Sequence, residues 1–496
     1  MRVESKRIRN PARRLKRMPA CALGAAGLRL SALFCRPPFL SASYQGSMPA
    51  GPNIEIIRFH EQAAKPATLF QCGPLTLINL PTETVMSKRA ALLERFMRYA
   101  AVPTQSNPKA GVVPSAPGER ILADMLAQEL AELGLTDVAV SEHAVVTARL
   151  AARGADNTPK IGWIIHMDTV DVGLSPEIRP KLVRNYPGGD ILQNAAENIW
   201  LRAAEHPELE RYKGDDILIS DGTSVLGADD KSAIANVMTA LSIMQAEKRP
   251  HGEIFIAFVP DEELGEQGAR KLDLARFPVD YAYTIDCCEL GEIVWETFNA
   301  GNATLTVTGV PAHPMSSKGV LVNPILVVHD FISMLDRAET PEHTEGREGF
   351  IVLKTLQANP SRAVLTMKIR DHDRSLYEAK KAKLAAAAAY LRVRHPKAGI
   401  ELALSDSYAN IADAIRPDNR DGIDLLYRVF RALKIQPKTK AMRGGTDGAY
   451  LSTKGILTPN YFTGAHNFHS SAEFLPMSSW EKSLDVTLAL MTYPQP

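Results

Sequence analysis

Short, wholly apolar runs alternate with helical patterns between Met86 and Asn299. The helical patterns repeat their apolar positions with the period of an α-helix, and the apolar runs have the length of strands buried on both faces. Because helices that connect such strands allow parallel pairing, the alternation predicts an α/β domain built on a largely parallel mixed sheet. The predicted helices are 121–133, 232–245 and 269–277, and the predicted strands are 138–141, 161–165, 254–259 and 281–285.

After Asn299 the pattern changes. Residues 303–310 alternate apolar and polar side chains, which is typical of a strand with one exposed face. A helix at 323–337, strands at 350–356 and 363–369, and a helix at 375–393 follow. This order predicts a small α+β domain in which two helices cover one face of a sheet. Since helical patterns return afterwards, we predict a first domain of residues 86–298 and 410–496, with residues 299–409 inserted in it.

The segment before Met86 differs from the rest of the chain in charge. Residues 1–85 hold 12 of the 57 Lys and Arg residues but only 4 of the 56 Asp and Glu residues. Arg29 interrupts its apolar stretch and no clear cleavage site follows, which disfavours a secretory signal, although an Arg-rich start is also typical of an organellar transit peptide. We expect residues 1–85 to be a leader outside the fold, either disordered or a misassigned start with Met86 as the initiator.

Composition and charge narrow the class of protein. The 496 residues are 45% hydrophobic and 23% charged, which is typical of a globular chain, and the formal charge of +1 argues against nucleic-acid binding. No uncharged apolar run reaches the roughly 18 residues of a membrane-spanning helix. Beyond the leader the only cysteines are Cys287 and Cys288, whose adjacency disfavours a disulfide between them. We therefore expect a reduced, cytoplasmic protein.

Polar residues that can bind metal follow the predicted strands. His166 and Asp168 lie two positions apart at the end of the strand 161–165, so their side chains leave on the same face. A neutral imidazole can bind a metal ion while a neighbouring carboxylate holds its other N–H group. The structural alternative is a capped strand end.

Two acidic turns offer further ligands. Asp229 and Asp230 stand in a Gly-Ala-Asp-Asp turn that enters a helix, where either could be an N-cap and where Asp229 could bridge two cations. Residues 261–263, Asp-Glu-Glu, directly follow the strand 254–259. Three neighbouring acids repel one another unless cations compensate them, although solvated loop acids are the simpler interpretation.

Asp286 ends a third strand, and His469 lies near the end of the chain. Each is weak evidence alone, because a single histidine is usually structural. Together the polar strand ends supply two imidazoles and three carboxylates, which are ligands that zinc accepts. The chain has no HExxH, GxSxG or strand-associated GxGxxG motif. A two-metal hydrolase is therefore favoured over serine-nucleophile or hydride-transfer chemistry.

These segments, in this order, resemble the di-zinc metallopeptidase superfamily that includes carboxypeptidase G and succinyl-diaminopimelate desuccinylase. The segments GADDKSA, PDEELG, TIDCCELGEIVWETFNA, KIRDHD and RGGTDGAYLS are most similar to its peptidase T family of tripeptide aminopeptidases. The resemblance extends from Met86 to the C-terminus. It implies a catalytic zinc-peptidase domain, an inserted lid or dimerisation domain, two Zn²⁺ ions per chain and a possible homodimer through the inserted domain.

The resemblance also implies roles for particular residues. One zinc ion would be held by His166 and Asp286, the other by Glu263 and His469, with Asp229 bridging the two. Cys287 and Cys288 stand where this family is expected to have small residues.

Two further residues would carry the chemistry. By the resemblance, Asp168 orients His166, and Glu262 is the general base that acts on a water bridging the metals. Two cations lower the pKa of such a water and stabilise the oxyanion, while the base passes the water proton to the departing amine.

Four residues are expected to contact the substrate. His313 matches the superfamily's lid histidine, which reaches an active site in the same or a neighbouring subunit, although a strand-end histidine beside a proline is the structural alternative. Arg370 resembles the arginine that binds the peptide's terminal carboxylate through two hydrogen bonds. Asn302 and Arg443 are further candidates.

The leading functional hypothesis is a zinc-dependent aminopeptidase that releases the N-terminal residue of tripeptides. A deacylase or dipeptidase on the same scaffold is the alternative within the hydrolases. A non-catalytic binding protein is the alternative of a different class. The expected partner is a small peptide substrate, with neither nucleic acid nor membrane involved.

Overall fold

The structure, a computed structural model, describes residues 87–155 and 158–492. The predicted leader, residues 1–85, lies outside the described residues. The first helix begins at Lys88, because the Ser87 side chain accepts a hydrogen bond from the Ala90 amide at 3.2 Å and caps the helix.

The described residues form eight α-helices. They are α1 (Lys88–Ala100), α2 (Pro117–Glu132), α3 (Ala228–Glu247), α4 (Pro324–Ser333), α5 (Arg374–Arg394), α6 (Asp421–Ala432), α7 (Asp447–Thr453) and α8 (Met477–Thr492). Within the described ranges, no helix combines the length and the apolar composition that a membrane crossing requires.

The same part of the chain forms seventeen strands. They are β1 (Thr136–Val140), β2 (Val146–Leu150), β3 (Ile161–His166), β4 (Lys181–Val183), β5 (Ile191–Asn194), β6 (Ile199–Leu201), β7 (Ile217–Ile219), β8 (Ile254–Val259), β9 (Tyr281–Cys287), β10 (Glu292–Glu296), β11 (Asn299–Thr308), β12 (Phe350–Ala358), β13 (Arg362–Asp371), β14 (Gly399–Tyr408), β15 (Lys438–Ala441), β16 (Asn460–Phe462) and β17 (Phe474–Pro476).

The largest sheet has eight strands in the order β1-β2-β8-β3-β9-β16-β10-β15. Its centre is parallel, since β8, β3, β9 and β16 pair in parallel, while β1, β2 and β10 add antiparallel pairs. The predicted largely parallel mixed sheet is therefore confirmed. Because neighbouring parallel strands end at the same edge, His166 at the end of β3 lies opposite Val259 at the end of β8.

The central strands are buried on both faces. Trp163 and Ile165 of β3 belong to the main core, which also contains Phe96 of α1 and Trp480 of α8. Ile164 points to the opposite face and belongs to a smaller core that includes residues of α7. This two-sided burial is the reason why β3 is a continuous apolar run.

A separate antiparallel sheet has the order β12-β13-β11-β14. Met367 and Ile369 of β13 are buried in a core that includes residues of α4 and α5, as the predicted α+β pattern requires. Lys368 and Arg370 alternate with them and therefore leave on the other face. The prediction omitted β14, because most of its side chains are polar or exposed.

The predicted helix 269–277 is wrong. Two short 3₁₀ turns, Ala269–Lys271 and Leu274–Arg276, occupy this segment, and the residues between them are extended. The Asp273 carboxylate accepts a hydrogen bond from the Ala275 amide at 3.0 Å and starts the second turn. A side chain that competes for backbone amides in this way interrupts a helix.

Glu129 joins α2 to α1. Its carboxylate accepts hydrogen bonds from Arg95 Nε at 2.8 Å and from the Tyr99 hydroxyl at 2.7 Å, and it lies 2.9 Å from Arg98 Nη1. Burial alone would raise the pKa of Glu129, but the hydrogen bonds from Tyr99 and Arg98 outweigh burial and lower it. The ionised carboxylate is thus the form that the fold stabilises.

We expect Glu129→Gln to lower the free energy of unfolding at neutral pH by about 1–3 kcal/mol, because hydrogen bonds to a charged acceptor are lost. A carboxyl whose pKa is lowered by folding stabilises the folded protein at pH values above the pKa that it has in the unfolded chain. This contribution disappears as the pH falls through the pKa of the carboxyl in the folded protein. The free energies of unfolding of the unaltered protein and of Glu129→Gln, measured with urea, should therefore become equal in acid. Glu132→Gln, at an exposed position of the same helix, is the matched control, and equal effects of the two changes would contradict the assignment.

Candidate metal centre

Five of the expected side chains meet at the carboxyl edge of the large sheet. His166, Asp229 and Asp286 form one group, and Asp229, Glu263 and His469 form a second; in each group the possible ligand atoms lie within 4.8 Å of one another. His166 and Asp286 come from β3 and β9, whereas Glu263 follows β8. The parallel register of these strands is what brings their polar ends together.

Asp229 belongs to both groups and uses a different oxygen for each. Its Oδ1 lies 2.9 Å from His166 Nε2, and its Oδ2 lies 3.0 Å from His469 Nε2. The same nitrogen of His469 is 2.8 Å from Glu263 Oε1. A carboxylate with this disposition can serve two cations at once.

The backbone at the start of α3 shows whether Asp229 and Asp230 cap the helix or are free to bind cations. Gly227 has a φ of +72°, and Asp229 and Asp230 have non-helical backbone angles. No side chain caps the helix there, and neither carboxylate oxygen of buried Asp230 has a hydrogen-bond partner among the described residues. The N-cap interpretation is therefore not what the structure shows.

Asp168 contacts both sides of the centre. Its Oδ1 lies 3.3 Å from His166 Nδ1 and accepts a hydrogen bond from the Glu262 amide at 3.0 Å, and its Oδ2 accepts one from the Glu263 amide at 3.2 Å. Asp168 is fully buried. The main-chain carbonyl of Asp168 lies 3.1 Å from the same nitrogen of His166, so this residue contacts the imidazole through both groups while its carboxylate positions the two acids that follow β8.

Asp261, the third acid of that turn, is not solvated. It is buried together with Glu119 and Asp168, and its Oδ2 accepts a hydrogen bond from the Ser115 amide at 2.8 Å. Glu119 in turn accepts the Asp261 amide at 2.9 Å, and burial beside Asp168 and Asp261 raises the pKa of Glu119 to about 9. These contacts anchor the turn that carries Glu262.

Glu473 was not predicted and holds the turn that carries Asp229. Its Oε2 accepts hydrogen bonds from the amides of Leu226 and Gly227 at 2.7 and 2.9 Å, and its Oε1 accepts one from the Asp229 amide at 3.1 Å. The residue is buried. No sequence pattern indicates this contact, because the acid and its turn are far apart along the chain.

The two cysteines lie close to Asp286. Cys287 is buried, and Cys288 is partly buried. Burial raises the pKa of the Cys287 thiol well above its usual value. Neither thiol belongs to the metal-capable groups found among the described residues. The amide of Asp286 is held by Asn460 Oδ1 at 2.7 Å, so its backbone position is defined.

The electrostatics of the centre favour bound cations. Burial, and then the charges of nearby acids, raise the pKa values of Glu262, Glu263 and Asp286. Burial alone would lower the pKa of His469, but hydrogen bonds to Asp229 and Glu263 raise it to about 11. Buried acids and imidazoles this close fit divalent metal ions, which accept such nitrogen and oxygen ligands and neutralise the excess negative charge.

A cleft of about 690 Å³ opens beside Glu262 and Glu263. Its lining includes the segment 262–267 and residues of the four-stranded sheet, among them Asn302 and Arg370. Arg370 donates a hydrogen bond to the Ile369 carbonyl at 2.9 Å, and Asn302 donates one to Ser407 Oγ at 3.0 Å. Both side chains are therefore placed where a bound ligand can meet them.

His313 and Arg443 do not line this cleft. His313 is exposed, and its Nδ1 accepts a hydrogen bond from the Met315 amide at 3.2 Å. Arg443 donates hydrogen bonds to the carbonyls of Gly346 and Glu348 at 3.1 and 2.8 Å. The expected substrate contacts of Arg443 and His313 therefore stay predictions.

This chain is similar in sequence to curated proteins, and the similarity extends over almost the whole length of each of them. A peptidase T-like protein of Yersinia pestis is 53% identical over 396 residues, 80% of this chain and 96% of the relative. A peptidase T-like protein of Rhizobium meliloti (strain 1021) is 52% identical, covering 81% of this chain and 98% of the relative. Peptidase T of Geobacillus kaustophilus is 41% identical, with coverage of 81% and 97%.

Solved structures share the fold. Aminopeptidase PepT from Bacillus cereus superposes with a TM-score of 0.63 at 19% identity, covering 82% of this chain and 98% of that one. A tripeptidase from Staphylococcus aureus gives a TM-score of 0.63 at 20% identity, with the same coverage. The model of peptidase family M20/M25/M40 matches residues 225–493. The chain therefore belongs to the M20/M25/M40 family of peptidases, a family of hydrolases.

Proposed function

We propose that this protein is a zinc-dependent tripeptide aminopeptidase. The observation that carries the proposal is the pair of metal-capable groups that share Asp229 and lie beside a cleft lined by Glu262. The similarity to proteins named peptidase T supports the same activity.

Two Zn²⁺ ions per chain would be held by His166 and Asp286 in one group and by Glu263 and His469 in the other, with Asp229 between them. Zinc is proposed because the donors are imidazole nitrogens and carboxylate oxygens. When bound, the two ions lower the pKa of a water molecule and stabilise negative charge on the carbonyl oxygen of the scissile bond.

Glu262 is the proposed general base. Its amide is fixed by Asp168 at 3.0 Å, while its carboxylate makes no hydrogen bond to another described residue and faces the cleft. It would take a proton from the attacking water and deliver it to the departing amine. Asp168 holds the backbone of Glu262 and the ring of His166 in place during both transfers.

The charges of the cleft suit a free peptide. Glu262, Glu263 and Glu266 line it, and the small sheet contributes Lys368 and Arg370. A peptide with a free amine and a free carboxylate can match both charges, with Asn302 and Arg370 at its carboxylate end. An N-acylated substrate lacks the positive amine, so an aminopeptidase is favoured over a deacylase.

The domain organisation belongs to the same proposal. Residues 86–298 and 410–496 would form the catalytic domain, and residues 299–409 the lid, with its sheet facing the cleft. A homodimer through the inserted domain would allow His313 of one protomer to approach the cleft of its partner. A cytoplasmic location is consistent with the free thiols of Cys287 and Cys288.

A comparison of peptides tests the activity. The zinc-loaded protein should hydrolyse a tripeptide with a higher kcat/KM than the matched dipeptide, tetrapeptide or N-acetylated tripeptide, and should release the N-terminal residue first. We expect N-acetylation to reduce kcat/KM by about tenfold or more, since a charge-assisted contact is lost. Preference for the acylated peptide would establish the deacylase instead, and preference for the dipeptide a dipeptidase.

Metal content tests the two groups. We expect His469→Ala to reduce tightly bound zinc from about two ions to about one per chain, because one group loses its imidazole ligand. Elemental analysis after extensive dialysis measures this. His329→Ala, an exposed histidine with a side-chain exposure of 75%, should leave the metal content unchanged. Full zinc occupancy in the His469 variant would refute the assignment.

Glu262→Gln separates chemistry from metal binding. We expect kcat to fall by about 10²–10⁴-fold, because the amide cannot accept the water proton, while the metal content is retained. Glu247→Gln, at an exposed position at the end of α3, is the control for a carboxylate-to-amide change. Retention of normal kcat in the Glu262 variant would show that another group is the base.

A further inference from the structure

Three cations from neighbouring strands of the small sheet line the cleft. Lys368 and Arg370 lie two positions apart on β13, and Lys354 lies on β12. Residues two apart on a strand point to the same face and are separated by roughly 6.6 Å. Lys354 lies at a register shift between Leu353 and Thr355, on the strand that pairs with β13.

None of these three cations forms an ion pair among the described residues, although Arg370 is near enough to Glu266 for the two charges to interact. Neither Lys354 nor Lys368 makes an ion pair or a side-chain hydrogen bond there. Arg370 donates hydrogen bonds to the backbone carbonyls of Gly301 and Ile369, at 3.4 and 2.9 Å, and its guanidinium lies 5.4 Å from the centre of the Tyr408 ring, with whose side chain it also interacts. The positive charges of Lys354 and Lys368 are therefore available to a ligand.

Other cations around the cleft are neutralised. Arg270 lies 3.1 Å from Glu266, and Lys381, on the neighbouring helix α5, lies 2.9 Å from Asp406. Both acids are lining residues of the cleft. The lack of an ion pair to a described residue thus distinguishes Lys354, Lys368 and Arg370 from these neighbouring cations.

Lys368 is the most informative member of the group because it is half-buried. Burial, and then the charges of Arg370 and Lys354, lower the pKa of its ammonium group. Removing a cation from water without giving it an anionic partner costs free energy, and a bound anionic ligand would offset that cost. One carboxylate can satisfy Arg370, which leaves Lys368 and Lys354 for a second anion.

We propose that the cleft selects tripeptides whose third residue is Asp or Glu, with the terminal carboxylate at Arg370 and the side-chain carboxylate at Lys368 and Lys354. This inference rests on the proposed aminopeptidase function and specifies its substrate class. Two carboxylates on one residue are close enough to reach neighbouring positions on one face of a strand. The neutral amide isostere would leave the lysines unpaired.

The test compares Ala-Ala-Glu with Ala-Ala-Gln on the zinc-loaded full chain. We expect kcat/KM to be about tenfold higher for the acidic peptide, since a charge-assisted contact to a desolvated lysine is gained. Lys368→Met should reduce this ratio to near one. The ratio is the readout because a general loss of activity affects both peptides equally. Lys354→Met, at an exposed position, should also lower the ratio and tests the inference if Lys368→Met folds poorly.

Lys383→Met is the matched control. Lys383 lies on α5 and is paired with Glu339 at 2.7 Å, and it does not line the cleft, so its replacement should leave the ratio at about tenfold. A ratio near one in the unaltered protein, or an equal or stronger preference for Glu-Ala-Ala or Ala-Glu-Ala, would overturn the inference while leaving the aminopeptidase function intact. Failure to hydrolyse any of the tripeptides would overturn both.

Discussion

The contact of one buried carboxylate with two imidazoles is the interaction on which the site depends. Asp229 lies between His166 and His469, which are far apart along the chain. Because each oxygen faces a different imidazole, two metal-capable groups share a single anion. The arrangement requires a fixed turn at the start of α3, and the buried carboxylate of Glu473 supplies it by accepting three backbone amides. Ligand geometry thus depends on residues that would bind no metal.

Other buried carboxylates around the metal centre also hold the ligand-bearing turns by accepting backbone amides. Asp168 accepts the amides of Glu262 and Glu263, and Glu119 accepts the amide of Asp261. Burying so many carboxylates is unfavourable, and backbone N–H groups only partly compensate for it. The remaining negative charge gathers at one edge of the large sheet, beside a cleft that Lys354, Lys368 and Arg370 of the small sheet also line. Acidic and basic side chains therefore meet in one cleft because both sheets contribute polar residues to its lining.

Local patterns predicted the elements where burial alone controls the side chains. The run 161–165 is recognisable because both of its faces are covered, and the alternation in 303–310 because only one face is. The pattern failed in the segment 269–277, where Asp273 captures an amide and divides the predicted helix into two turns. It also omitted β14, whose exposed polar side chains resemble a loop. The substrate contact expected of Arg443 stays a prediction, and its side chain donates hydrogen bonds to backbone carbonyls.

The sequence by itself determined the α/β order of the chain, the residue types able to bind metal and their positions at strand ends, because these depend on local periodicity and on the resemblance of short motifs. Only the tertiary structure decided which of those side chains meet. It placed Asp229, and not Asp230, in the metal-capable groups. It also showed that Glu119 and Glu473 hold the backbone of the ligand-bearing turns, and that Lys368 lines the cleft without an ion pair to any described residue. Such contacts join residues far apart along the chain, and the packing of whole sheets and helices, rather than any local preference, sets their distances.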